Sequence, residues 1–316
     1  MSALLPLRRP FELAACEASR RWLIEELWAE QAVGLIGGEP KCCKSFLALE
    51  LAVSVASGAP ALRRFPVRQS GPVLLFAGED APHVVRERIA GLAHVAGVAF
   101  EALDLHVIAV PTLRLDLPEE GRRLGDTVAA LRPKLLVLDP FVRLHRIDEN
   151  AAAEVAPLLA GLRALQRRYQ TAVLLVHHAR KGAGHARGGQ ALRGSSELHA
   201  WGDSNLYLRR RGERLWLSTE HRAAPSIEGL ALALRTHGEA LALEVVDGVA
   251  EALPSDPPGA SERIAQTLAA AAAPLTRDQL RQRSRLRTQT LGQALAELTA
   301  QGRVVKEPEG YRLADR

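Results

Sequence analysis

Short apolar runs alternate with amphipathic segments of helical period through much of this chain. Five of the runs have the length of buried β-strands: Ala32–Ile36, Val73–Phe76, Leu105–Val110, Leu135–Leu138 and Ala172–Val176. Longer segments between them repeat apolar residues at helical spacing, including Lys44–Ala56, Val84–Val95 and Ala153–Tyr169. Apolar strands separated by helices are typical of a parallel sheet covered on both faces. The pattern therefore predicts an α/β domain with a mostly parallel sheet.

Changes in composition divide the chain into four parts. Residues 1–30 form a lead segment with a short amphipathic stretch at Arg21–Trp28. Residues 31–250 hold the alternating pattern and two later strands that we expect to extend the sheet, Asn205–Arg209 and Leu215–Ser218, followed by a further strand pair at Leu230–Leu234 and Leu241–Val246. Residues 251–260 are rich in proline, serine and glycine, which is typical of a linker. Residues 261–316 remain as a small second domain.

The second domain has the pattern of a winged helix. Three helical segments are followed by two short strands around a turn, namely Glu262–Ala272, Arg277–Ser284, Thr288–Gln301, Arg303–Lys306 and Tyr311–Leu313. Several arginines lie around the start of its third helix, where DNA could be contacted. Winged helices also mediate protein contacts, so oligomer packing is the alternative role for this domain.

Composition argues against several classes of protein. No apolar run reaches the roughly 18–20 residues that span a bilayer, and no signal peptide is expected. Three cysteines cannot build a disulfide framework, so a reducing cytoplasm is the expected location. The formal net charge of +5 permits a polyanionic partner without demanding one.

Residues 38–45 read Gly-Glu-Pro-Lys-Cys-Cys-Lys-Ser between the first predicted strand and a predicted helix. A phosphate-binding loop has the form G-x-x-x-x-G-K-[ST], in which backbone N–H groups surround the phosphates at a helix N-terminus. Lys44 would contact the β- and γ-phosphates, and Ser45 would bind Mg²⁺. Cys43 departs from the pattern, because its Cβ restricts the backbone where glycine is usual.

The nucleotide-binding segment predicted from this motif comprises Gly38, Glu39, Pro40, Lys41, Cys42, Cys43, Lys44, Ser45 and Phe46. The alternative is a strand–turn–helix unit that merely contains a lysine. We interpret Cys42 and Cys43 as small residues that fill the loop rather than as a redox switch.

Polar residues follow three of the predicted strands, at the sheet edge where open α/β folds bind ligands. Asp139 would hold Mg²⁺ through water, with a turn or capping aspartate as the alternative. Glu79 would orient and deprotonate the attacking water, whereas Asp80 also suits a helix cap. His178, after His177, could sense the γ-phosphate; a buried, hydrogen-bonded histidine is the alternative, and the spacing does not favour a zinc site.

The order of these motifs resembles that of the RecA-like P-loop ATPases. The chain is most similar to the hexameric RepA-type replicative helicases of plasmids, with relatives in the DnaB and KaiC groups. The resemblance rests on the following segments: Gly38–Ser45, Phe76–Pro82, Leu135–Pro140 with Arg143 and His145, His177-His178, Leu192–Ser195, and Gly202–Asn205 ending at Arg209. It covers roughly residues 20–220 and excludes the C-terminal helices.

The resemblance implies an ATP- and Mg²⁺-dependent DNA motor in which six subunits form a ring. An arginine of the next subunit would reach the γ-phosphate, and Arg209 or Arg211 is the candidate. Single-stranded DNA would be held by a glycine-rich basic segment, with candidates Arg180, Lys181, Arg187 and Arg193. A KaiC-like regulatory ATPase without unwinding activity is the alternative, and a DNA-binding module with a degenerate ATPase fold is a third class.

Overall fold

The structure, a computed structural model, describes residues 7–12, 21–178, 196–212, 214–246, 260–271 and 273–314. The chain divides into two compact units, Met1–Ala250 and Glu251–Arg316. Among the described residues, no helix is long and apolar enough to cross a membrane.

A nine-stranded sheet forms the centre of the first unit's described part. Its strands, in chain order, are β3 (Val33–Gly38), β4 (Val73–Ala77), β5 (Leu105–Val107), β6 (Leu135–Asp139), β7 (Ala172–His178), β8 (Ser204–Arg211), β9 (Arg214–His221), β10 (Leu230–His237) and β11 (Ala240–Val245). Their spatial order is β11-β10-β9-β8-β3-β7-β6-β4-β5. The pairs from β8 to β5 are parallel, and those from β8 to β11 are antiparallel.

Helices cover both faces of this sheet. They are α1 (Lys44–Ser57), α2 (Pro82–Val95), α3 (Pro118–Leu131), α4 (Ala152–Tyr169) and α5 (Ser196–Trp201). One buried cluster joins α1 and α2 to alternate strand residues, such as Leu75 and Val137. A second joins α3, α4 and α5 to the intervening strand residues, such as Leu74 and Leu136. Because successive strand side chains point to opposite faces, strands that are apolar throughout supply both clusters.

The mostly parallel α/β fold predicted from the sequence is confirmed. The amphipathic stretch at Arg21–Trp28 forms a hairpin of β1 (Trp22–Ile24) and β2 (Trp28–Ala29), which the sequence analysis does not predict. The third predicted strand is shorter than expected, and α3 is also absent from the sequence predictions. Of its 14 residues only Leu124 and Val128 are buried, and they lie four positions apart on one face of the helix.

The segment Gly202–Asn205, which contributed to the family resemblance, fastens the start of β8 to β3. Asp203 Oδ2 accepts a hydrogen bond from the Val33 N–H at 3.2 Å, and Asn205 Oδ1 accepts one from the Leu35 N–H at 3.2 Å. Gly202 leaves room for the Asn205 amide, which a Cβ would approach to 2.0 Å. This segment therefore has a clear structural role, since it helps to place the strand that precedes the loop.

The second unit contains α6 (Ala260–Ala269), α7 (Arg277–Ser284), α8 (Thr288–Ala300), β12 (Val304–Glu307) and β13 (Gly310–Leu313). A β-bridge between Leu275 and Tyr311 adds a short strand position between α6 and α7. The three helices surround a core that includes Ile264, Leu291 and Leu298. The element types agree with the predicted pattern, and the winged-helix assignment stays a prediction.

Two glycine-to-alanine substitutions should have opposite effects on stability. A Cβ at Gly34 would lie 1.7 Å from the carbonyl oxygen of Ser204, a backbone atom, so Gly34→Ala must push β3 and β8 apart. We expect it to lower the free energy of unfolding by about 3 kcal/mol or more. In α4, a Cβ at Gly161 meets nothing within 4 Å, so Gly161→Ala should raise that free energy by roughly 0.5–1 kcal/mol.

Chemical denaturation of the two variants and the wild type measures both changes. A Gly34→Ala protein as stable as the wild type would contradict the close approach of β8 to β3.

Candidate active site

The loop between β3 and α1 begins at a glycine that steric contact requires. A Cβ at Gly38 would lie 2.3 Å from the Leu208 carbonyl oxygen and 2.7 Å from Cys42 Sγ. The buried Cys42 thiol fills the inside of the bend and donates a hydrogen bond to the Glu39 carbonyl oxygen at 2.8 Å. Burial raises the pKa of this thiol. Cys42 therefore packs inside the loop.

Cys43 occupies the position at which the motif has glycine, and its backbone is left-handed, with φ 63° and ψ 29°. A residue with a Cβ pays a steric cost in this region, which glycine avoids. Cys43 is the N-cap of α1 and makes no side-chain capping hydrogen bond. The first N–H groups of α1 are thus not capped by this side chain, and a helix N-terminus of this kind suits an anion.

Lys44 is buried, and its Nζ donates a hydrogen bond to the Glu39 carbonyl oxygen at 2.8 Å, across the loop. Burial lowers the pKa of Lys44, while the nearby Cys42 and Asp139 act in the opposite direction. An ammonium group has three donors, so the hydrogen bond to Glu39 leaves donors available for phosphate oxygens.

The carboxyl ends of four adjacent strands meet beside this loop. Parallel pairing sets Gly38 of β3 opposite His178 of β7, and Ala77 of β4 opposite Asp139 of β6. The Gly78 N–H donates to the Asp139 carbonyl oxygen at 2.7 Å, which holds the start of the Glu79 segment against β6. Sheet register thus brings together residues that are far apart in the sequence.

A cavity of about 330 Å³ opens at this edge of the sheet. Its lining includes five residues predicted to take part in catalysis or Mg²⁺ binding: Lys44, Ser45, Glu79, Asp139 and His178. The other lining residues are Lys41, Cys42, Cys43, Phe46, Ala77, Asp80 and Arg88. Gly38, Glu39 and Pro40 belong to the loop without lining the cavity. The arrangement has cations and backbone donors that can bind a phosphate chain, and acids that can hold the metal ion that accompanies it.

Asp139 is buried and lines this cavity. Burial raises its pKa to about 6, a hydrogen bond with Ser45 opposes the shift, and Glu79 and Asp80 reinforce it. A hydroxyl and a carboxylate are the hard oxygen ligands that Mg²⁺ prefers, and proteins often supply only one or two of them beside substrate phosphates. The donor set of Ser45 and Asp139 therefore fits Mg²⁺. Among the described residues, no cluster of three acidic, histidine or cysteine side chains could hold a metal.

Glu79 lies at the exposed rim of the cavity, where Arg143 Nε is 3.3 Å from its Oε1. The neighbouring Asp80 is not a helix cap, because the N-cap of α2 is Ala81, followed by Pro82. Asp80 instead forms an ion pair with Arg88. Glu79 is thus placed where it could reach water in the cavity. Asp80 pairs with Arg88 rather than with the N-terminal N–H groups of α2 that a helix cap would contact.

Arg209, Arg210 and Arg211 form a basic cluster on β8 and make one contact that was not predicted from the sequence. Arg210 Nη2 lies 3.3 Å from the Lys41 carbonyl oxygen and 3.5 Å from Cys43 Sγ, so it contacts the loop of its own chain. Arg209 and Arg211 do not line the cavity. Their predicted role concerns a neighbouring subunit and stays a prediction.

The predicted DNA-binding residues Arg180, Lys181, Arg187 and Arg193 lie outside the described residues, as does the Leu192–Ser195 segment. Arg88 lines the cavity and was not predicted from the sequence. Its position two turns into the helix that follows Glu79 is a signal that could have pointed to it.

A model of the AAA domain family matches residues 7–184, more than half of the 316-residue chain. The chain belongs to this family. The AAA domain match covers β3, the loop, β4 with the Glu79 that follows it, and the strands that contain Asp139 and His178.

Solved structures share the fold of this AAA domain at low sequence identity. The ATPase domain of G40P has 13% identity and a TM-score of 0.51, and the alignment covers 65% of this chain and 82% of G40P. The RadB recombinase has 17% identity and a TM-score of 0.50, with 69% and 92% covered. A DnaB-like replicative helicase, whose interactions with primase are known, has 13% identity and a TM-score of 0.51, with 67% and 57% covered.

The predicted RecA-like P-loop ATPase fold is therefore confirmed, whereas the RepA-type assignment stays a prediction.

Replacement of Cys43 tests the cost of its left-handed backbone. Cys43→Gly should raise the free energy of unfolding by up to about 1 kcal/mol, because the steric relief exceeds the added chain entropy. Cys43→Val should lower it by about 1–2 kcal/mol, since a β-branched residue is poorly tolerated there. Denaturation and ATP titration of both variants measure the effect. Weaker ATP binding by Cys43→Gly than by the wild type would show that the thiol itself is needed.

Asp139→Asn should stabilise the metal-free protein above pH 6. The pKa of Asp139 is higher in the folded state, so ionisation disfavours folding, and the free energy of unfolding falls by about 3 kcal/mol as pH rises from about 4 through 6. The asparagine removes this pH-dependent loss. Denaturation in a chelating buffer across this pH range measures it, with the exposed Asp126→Asn as the matched control. An unchanged pH dependence in Asp139→Asn would contradict the assignment.

Proposed function

We propose that this chain is an ATP-hydrolysing, ring-forming DNA motor, and specifically a RepA-like replicative helicase of the cytoplasm. The observation that carries the ATPase part is the meeting of Lys44, Ser45, Glu79 and Asp139 at one cavity beside the loop. A similar fold occurs in a DnaB-like replicative helicase, and the basic arginines of the second unit are compatible with a DNA partner.

ATP would place its phosphates against the loop and the N-terminus of α1. Lys44 would donate to the β- and γ-phosphate oxygens while it keeps its contact with Glu39. Ser45 and Asp139 would hold Mg²⁺, which supplies neutralisation of the phosphate charge. His178, the last residue of β7, would contact the terminal phosphate.

Hydrolysis requires a positioned water molecule. Glu79 would orient this water and accept its proton, while the water oxygen forms a bond to the γ-phosphorus. The bond between that phosphorus and the β–γ bridging oxygen breaks, and its electron pair leaves with ADP. Because Glu79 is at the exposed rim, a second subunit could approach the same reacting group, as the proposed ring and its Arg209 or Arg211 require.

Turnover of Lys44→Ala tests the enzyme proposal. Single-stranded DNA should stimulate ATP hydrolysis by the wild type, and Lys44→Ala should lose about 100-fold or more of this turnover, because the buried ammonium group stabilises the transferred phosphoryl group. Lys134→Ala, which removes an exposed lysine at the opposite end of β6, should keep wild-type turnover. Equal turnover of Lys44→Ala and the wild type would end the ATPase proposal.

A strand-separation assay on a forked DNA duplex then distinguishes a helicase from a KaiC-like regulatory ATPase. Unwinding that requires both ATP and Lys44 supports the helicase. ATP-dependent assembly without unwinding would contradict it and indicate the KaiC-like regulatory class.

A further inference from the structure

Arg88 extends from α2 into the cavity of the candidate active site. It forms an ion pair with Asp80, and its Cζ lies over the ring of Phe46, 5.3 Å from the centroid. All three residues line the cavity together with Lys44 and Asp139. Phe46 directly follows the Mg²⁺-binding candidate Ser45, so Arg88 is held beside the first turn of α1.

The two contacts of Arg88 leave donors available to a ligand. Among the described residues, its hydrogen bonding is limited to Asp80, through Nη1. A guanidinium group has five N–H donors, and contact with an aromatic ring uses its π-face rather than its N–H groups. Its side chain is 30% exposed, so the remaining donors are accessible from the cavity. Asp80 and Phe46 restrict the position of the group without exhausting its hydrogen-bonding capacity.

The charges that line the cavity also favour a phosphate contact at Arg88. Lys41, Lys44 and Arg88 are the cations of the lining, and Glu79, Asp80 and Asp139 are its acids. Glu79 and Asp139 have proposed roles toward water and Mg²⁺, whereas Asp80 is engaged by Arg88. Of the three cations, Arg88 alone has the planar fork of donors that matches phosphate oxygens bidentately.

We propose that Arg88 is a catalytic residue that binds the terminal phosphate of ATP from within the same chain. Asp80 and Phe46 act as positioning residues for its guanidinium group. This inference rests on the proposed ATPase function, because it assigns a further residue to that site. Arg88 would stabilise the negative charge that develops on the transferred phosphoryl group, a role that an arginine can perform in cis.

Arg88→Ala should reduce ATP turnover by about 100-fold or more. It should weaken Mg-ATP binding by roughly 10-fold and leave Mg-ADP binding within about twofold, because the lost contact is to the terminal phosphate. Arg88→Lys keeps the charge without the fork of donors, so its turnover should lie between those of Arg88→Ala and the wild type. Steady-state kinetics and calorimetric titration with the two nucleotides measure these changes on the full chain.

Arg86→Ala is the matched control. Arg86 lies on the same helix, over the ring of Phe100 at 5.2 Å, and outside the cavity lining. It should keep wild-type turnover and nucleotide binding. Turnover of Arg88→Ala like that of Arg86→Ala would overturn the proposal. So would an equal loss of ATP and ADP affinity accompanied by a lower melting temperature, since that result indicates a structural role.

The binding measurements separate this inference from the motor function. A wild-type protein that binds Mg-ATP but shows no DNA-stimulated hydrolysis would contradict the motor, and the ATP-to-ADP affinity ratio of Arg88→Ala would still decide the role of Arg88. A wild-type protein that binds neither nucleotide would overturn both.

Discussion

The close approach of β3 to its neighbours is the constraint on which the candidate active site depends. At Gly34 and Gly38, the carbonyl oxygens of Ser204 and Leu208 occupy space that a Cβ would need. The absence of a Cβ at these two glycines allows β3 to pair with β7 on one side and β8 on the other, in the middle of the sheet edge at which the parallel strands end. The loop that follows is therefore held where it shares a cavity with residues of β4, β6 and β7 rather than at the margin of the sheet.

Within that frame, the site retains features that cost stability. Lys44 and Asp139 are both buried. Desolvation lowers the pKa of Lys44 and raises the pKa of Asp139, so it favours the neutral form of each group. Cys43 and Lys41 have left-handed backbones without being glycine. Buried ionisable groups and strained backbone concentrate where ligands bind, because the same geometry preorganises donors and charges for chemistry. The presence of buried ionisable groups and of left-handed non-glycine residues around one cavity is physical support for a functional site there.

Much of the fold could be predicted because its signals are local. Apolar strands and helical spacing identified the parallel sheet, and the lysine and serine before α1 identified the loop. Strand-end acids could also be placed at one edge, since parallel strands end together. The hairpin of β1 and β2 was missed, because Ile24 and Trp28 are buried by packing against the rest of the domain, which no local pattern shows. Helix α3 was not among the helices predicted, although Leu124 and Val128 have helical spacing.

The sequence by itself determined the strand–loop–helix order, the cation and hydroxyl at the start of α1, the acids that follow β4, and the acid that ends β6. These follow from residue identity and spacing along the chain. Only the tertiary structure decided that Arg88 enters the cavity, that Asp80 pairs with it instead of capping α2, and that Arg210 contacts the loop. Long arginine side chains can reach several partners, and which partner they meet depends on how α2 and β8 pack beside α1 and β3, which no local pattern specifies.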